Sequence, residues 1–283
     1  MKKNPYRTQK IAFSLLFLAT LVIVIPVIII VAIIIQKGLP AINWQFLSDI
    51  PRQGMRAGGI FPAIVGTIYL VAGAIVFALP IGLLAAIYLS EYAKTNLLTR
   101  IIKLAIVNLA GVPSVVYGLF GLALFVIFFK FGASILAGSL TLGIMILPLI
   151  ITASREALES VPLVFREVSL SLGASKWQTI RHIVLPNAVP GILTGTILGL
   201  GRAAGETAPI LFTVAAFYLP QLPESIFDQA MALPYHLYVI STQVPNVDEK
   251  TRYGTALVLL ALVLFMNLVA IIIRYQFRKR KKW

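Results

Sequence analysis

Residues 11–35 read IAFSLLFLATLVIVIPVIIIVAIII, twenty-five positions without a charge. A helix rising ~1.5 Å per residue covers roughly 37 Å over that length, more than the ~30 Å hydrocarbon core of a bilayer, so it crosses with tilt. The run is too long for the apolar stretch of a signal peptide and no A-x-A pattern follows it, so it should stay as an anchor. Five more apolar runs follow, at about 60–89, 101–129, 133–153, 188–217 and 254–273. Pro26, Pro80, Pro113 and Pro148 lie inside these runs, where a helix bundle tolerates proline as a kink. The expectation is an all-α polytopic membrane protein: a cytoplasmic N-terminus over residues 1–10, then one transmembrane domain of six spans over 11–283.

Composition excludes several classes. With 59% hydrophobic and 12% charged residues, and a mean hydropathy of +0.93, the chain is far from a soluble domain. It has no cysteine and only two histidines, His182 and His236, well separated in sequence. Disulfide frameworks, thiolate metal sites and zinc chemistry therefore drop out, and we expect no metal, cofactor or catalytic residue. The net charge of +14 does not point to nucleic acid, because it sits at the termini and in short connections.

Topology accounts for that charge. If the N-terminus is cytoplasmic, the inner segments 1–10, 90–103, 154–187 and 274–283 hold 4, 3, 4 and 6 of the 24 Lys and Arg. The outer connections hold Lys37, Arg52, Arg56, Lys130, Lys250 and Arg252, so the positive-inside rule puts both termini in the cytoplasm. The tail RYQFRKRKKW (274–283) reads as a stop-transfer anchor on anionic membrane lipid. Outside, Arg52 and Arg56 near the external mouth read as a solvated loop, with contact to an acidic binding protein or a raised local anion concentration as the alternative, and His236 can titrate near neutral pH but is assigned no role.

The inner segment 154–187 is too long for a turn and too polar for lipid. Phe165, Val168, Leu172, Trp177, Ile180, Ile183 and Val184 recur at helical spacing around Gly173, which predicts a helix, a glycine-centred turn and a second helix with an apolar stripe. Such a stripe can lie on the bilayer, pack on its own bundle or dock in another protein's groove. The spacing E-x5-G-x9-I-x-L-P, at Glu167, Gly173, Ile183, Leu185 and Pro186, resembles the "EAA" loop of permease subunits from bacterial ABC importers. Here Glu-Val-Ser (167–169) stands in place of Glu-Ala-Ala. The resemblance implies a type I permease fold in which this loop is a coupling helix seated on a separate ATPase subunit. Arg166 and Glu167 would then be surface contacts. No G-x-x-x-x-G-K-[ST] occurs, so P-loop ATP binding belongs to another chain.

The run LGLGRAAGETAPILF (198–212) puts Arg202 and Glu206 four residues apart among apolar and small residues. Counted along 188–217, Arg202 falls near the bilayer midplane, where a charge costs on the order of 2.5–3.5 kcal/mol on insertion scales. On one continuous helix the two residues share a face and can pair. They read either as a structural ion pair or as a path in which the guanidinium meets an anion and Glu206 keeps it from trapping that anion. Gly191, Gly195, Gly199, Gly201 and Gly205 around them read as close-packing positions, and Pro209 as a helix breaker.

Four stretches, AGGIFPAIVGT (57–67), GVPSVVYGLFG (111–121), GRAAGETAPILF (201–212) and LPYHLYVIS (233–241), are similar to permeases of phosphate-specific ABC importers of the PstA type. That resemblance implies phosphate translocation by alternating access. It also implies a heterodimer with a second permease, two ATPase subunits and an extracytoplasmic phosphate-binding protein. A sulfate or molybdate permease and an ion-coupled secondary carrier are the alternatives at this stage.

Overall fold

The structure, a computed structural model, describes residues 5–279. Expectations for residues 1–4 and for the tail from Arg280 onward lie outside them. Twelve helices follow one another: α1 (Pro5–Gly38), α2 (Trp44–Ser48), α3 (Phe61–Ile87), α4 (Leu97–Leu109), α5 (Ser114–Gly121), α6 (Ile135–Glu159), α7 (Leu163–Ser171), α8 (Lys176–Thr179), α9 (Leu185–Gly205), α10 (Ala208–Thr213), α11 (Leu233–Thr242) and α12 (Glu249–Lys279). A two-stranded hairpin, β1 (Pro51–Arg52) with β2 (Ala57–Gly58), interrupts the all-helical order between α2 and α3.

Helix starts follow local chemistry. The Asn43, Asn96 and Ser134 side chains accept from the backbone N–H three residues on, opening α2, α4 and α6. Two more free N–H groups of α6, those of Ile135 and Leu136, donate to the carbonyls of Asp228 and Ile226, so the long connection before α11 caps α6 from outside. Pro26, Pro80 and Pro148 lie inside α1, α3 and α6 without ending them.

Among the described residues five helices are long and apolar enough to cross a membrane; a sixth crossing requires counting Leu97–Leu109 and Ser114–Phe128 as one span. The single kinked span predicted over 101–129 is thus corrected, because the two parts meet at 101°. Pro113 supplies no N–H and disfavours helix at Val112, and the Leu109 carbonyl instead accepts from Val112 N at 3.1 Å and from the Tyr117 hydroxyl at 2.7 Å. The predicted run 188–217 is also redrawn. Helix begins at Lys176, passes through a π-helical turn at Ile180–Val184 and stops at Gly205.

α6 is the axis of the core, packed against α3 and α9, which also touch each other; α12 packs on α9, and α1 on α12. Small residues let α9 approach α6: a Cβ on Gly191 would stand 2.5 Å from that of Ala157, and one on Gly195 2.5 Å from that of Ala153. An added Cβ on Gly201 would meet Asn267 of α12, whereas one on Gly205 would meet nothing within 4 Å among the described residues. A second cluster closes the end of the bundle nearest α7, where Ala86 and Ile87 meet Leu158, Val161, Ile180, Val184 and Ile192.

Candidate translocation path and coupling loop

The antiparallel register of α9 on α6 sets the depth of Arg202. Gly191 lies at Ala157, Gly195 at Ala153 and Gly199 beside Ile150 and Ile146. One further turn carries Arg202 to the level of Gly143–Ile146, near the middle of Ile135–Glu159. Mid-depth placement therefore rests on helix packing as well as on residue counting.

Arg202 Nε is 3.6 Å from Glu206 Oε1, with side chains 31% and 18% exposed. The pair forms, but not on a shared helix face as predicted. Arg202 is in the last turn of α9, and Glu206, at φ −77° and ψ 139°, lies beyond it in extended backbone. The break falls here because Pro209 lacks the N–H that a continuing helix would donate to the Gly205 carbonyl. At 3.6 Å the contact is an ion pair longer than a hydrogen bond, and among the described residues the guanidinium makes no hydrogen bond. A partly exposed fork of five donors with one loose carboxylate partner has donors to offer an oxyanion.

The four stretches singled out in the sequence meet in two pairs. Gly118 of α5 lies under α10, where an added Cβ would stand 2.7 Å from Phe212 and 3.0 Å from the Ala208 carbonyl, so 111–121 touches 201–212. Thr67 Oγ1 accepts from Leu233 N at 2.8 Å, so 57–67 touches 233–241. His236 is 3% exposed in α11, outside the spans, and burial pushes its pKa down to about 4, so it stays neutral near pH 7. The expectation that it titrates near neutrality is corrected. Arg52 is held by Asp49 at 3.0 Å, in keeping with an ordinary loop charge. Arg274, assigned to the lipid-facing tail, instead donates to Thr194 Oγ1 at 3.1 Å and ties α12 to α9.

The helix–turn–helix in 154–187 is present with different bounds. Residues 154–159 complete α6, α7 stands alone, and α8 runs into α9. Gly173 has φ +83° with open space around it, so its requirement is backbone conformation rather than room. Ser175 and Gln178 form a capping box that restarts the helix, and Ser169 Oγ lies 2.9 Å from Thr179 Oγ1, locking the two arms together. The polar residue in place of the second alanine of Glu-Ala-Ala makes that bond.

The predicted apolar stripe divides. Phe165, Ile180 and Val184 turn inward onto the second cluster, while Val168, Leu172 and Trp177 are exposed, Leu172 at 83%. Glu167 is exposed. Ile183 and Leu185 are half-buried, and Pro186 is exposed in the first turn of α9, so these three belong to the helix leading into the bundle. Arg166 is not the surface contact that was expected. Its side chain is 14% exposed and bonds Glu91 Oε1 at 2.8 Å, together with the carbonyls of Leu158 and Val161. Two polar groups were missed: Glu91, and Asn267, whose Oδ1 is buried without a partner among the described residues. Their only sequence signal is polarity at the margin of, or inside, an apolar run. Among the described residues no cluster of His, Asp and Glu could hold a metal.

Apolar spans, small-residue helix contacts and a charged break at mid-depth define a multi-pass helical membrane protein. Residues 78–283 match the family described as binding-protein-dependent transport system inner membrane component, and the chain belongs to it as a multi-pass inner-membrane protein. It is 35% identical over 281 residues to phosphate transport system permease protein PstA 1 of Mycobacterium tuberculosis (strain ATCC 25618 / H37Rv), covering 97% of this chain and 90% of that one. It is 31% identical over 281 residues to the probable ABC transporter permease protein YqgI of Bacillus subtilis (strain 168), covering 94% and 95%. In fold it is similar to a crystal structure of a bacterial ABC transporter involved in the import of the acidic polysaccharide alginate, with TM-score 0.65, 17% identity, and coverage of 96% and 99%. The chain therefore has a type I ABC importer permease fold.

Proposed function

We propose that this chain is the permease subunit of an ATP-driven phosphate importer, working by alternating access with both termini in the cytoplasm. Its partners are a second permease, two ATPase subunits, one of which docks on the exposed Val168, Leu172, Trp177 and Glu167 surface, and an extracytoplasmic phosphate-binding protein. Gly173 sets the angle of the loop, and Ile183, Leu185 and Pro186 carry its movement into α9. The observation that carries the anion reading is Arg202: permanently charged, at mid-depth, partly exposed and only loosely paired. Glu206 holds the guanidinium in place and weakens its hold on the passing anion, which conduction requires. The PstA relatives favour phosphate among oxyanions.

The test is radiolabelled phosphate uptake in cells lacking high-affinity phosphate import and supplied with this chain and its partner subunits. Saturable uptake that survives excess sulfate and molybdate, and needs an intact ATPase subunit, is the expected result. Uptake of sulfate or molybdate instead would overturn the phosphate assignment. Uptake abolished directly by an uncoupler, with the ATPase dispensable, would favour an ion-coupled carrier.

A further inference from the structure

Both arms of the coupling loop grip one turn at the end of α3. Beyond Ile87 that helix widens into a π-helical turn over Tyr88–Tyr92, a form that recurs at functional sites. Two neighbouring residues of the turn are held. Glu91 receives Arg166 of α7 at 2.8 Å, with side chains only 9% and 14% exposed. The ring of Tyr92 lies under Lys176 of α8, with Nζ 4.9 Å from its centroid. The remaining Arg166 donors reach the Leu158 carbonyl at 2.9 Å and the Val161 carbonyl, at and just past the end of α6, where a cation suits the helix dipole. One guanidinium thus joins α7 to the end of α6, 5 and 8 residues back, and to the π-helical turn after α3, 75 residues away.

We propose that the Glu91–Arg166 pair is the tie that carries movement of the coupling loop into α3. This inference rests on the permease reading above. Removing either member of a mostly buried pair leaves the other charge uncompensated, so a tie of this kind is stiff and does not open partway. The loop is continuous in sequence with α6 at one end and α9 at the other, so the tie adds a route into α3, which packs along α6. Arg166 and Glu91 act as positioning residues and do not touch the transported anion.

The test uses the full complex in proteoliposomes and reads phosphate imported per ATP hydrolysed. Glu91→Gln is expected to lower that ratio at least fivefold while ATP hydrolysis stays within about twofold of wild type. Arg166→Lys keeps the charge but loses the fork and should give an intermediate ratio. Glu91→Gln is also compared in thermal unfolding, because a purely structural pair lowers stability and complex yield without moving the ratio; that result would overturn the proposal. A wild-type complex that imports nothing with ATP would overturn the permease reading and the proposal with it.

Discussion

Gly191 of α9 lies so close to Ala157 of α6 that any side chain at 191 meets it at 2.5 Å. That contact and its repeats one and two turns on fix how far α9 is inserted along α6. They bring Arg202 to mid-height of the bundle and place the break at Glu206 deep rather than at a surface. Close packing and the charged pair are therefore linked.

Gly195→Leu should destabilise the protein by about 1–3 kcal/mol, the usual cost of overpacking, because an added Cβ meets that of Ala153 at 2.5 Å. Gly205→Ala, with open space around it, should stay within about 0.5 kcal/mol. Thermal unfolding in detergent separates the two. Equal losses would contradict the packing register.

Gly173→Ala forces a side chain into a left-handed backbone and should cost about 1–2 kcal/mol at the loop turn. The expected readout is reduced co-purification with the ATPase subunit while the spans stay folded. Unchanged co-purification and activity would show that the turn angle does not matter to docking.

His236 makes stability depend on pH. Burial lowers its pKa from 6.5 to about 4, so below 6.5 the unfolded chain takes up a proton that the folded chain refuses. Stability from this source is full above pH 6.5, falls between 6.5 and about 4 by up to about 3 kcal/mol, and levels off below. His236→Phe should flatten the unfolding temperature over that window. An unaltered slope would mean that another group titrates there.

Much of the architecture was legible from apolar runs alone, because lipid demands long uncharged helices wherever a chain crosses. The helix–turn–helix within 154–187 was legible through the apolar spacing around Gly173, and so was the mid-height position of Arg202 in the bundle. The 101° bend before Pro113 and the helix end at Gly205 were not. Both depend on which carbonyl loses its donor and what replaces it, as Val112 N and the Tyr117 hydroxyl do at Leu109. The role of Arg166 was misread for a related reason. On its own helix it looks like a surface charge, and its partner Glu91 lies 75 residues away. A long-range ion pair leaves no periodic signal.

The most direct measurement is phosphate flux through the assembled complex carrying Arg202→Gln, alone and combined with Glu206→Gln. If Arg202 meets the anion, flux should drop at least tenfold in both variants, with complex yield close to wild type. If the two charges merely neutralise each other, the doubly neutral variant should transport like wild type, and that result would contradict the account.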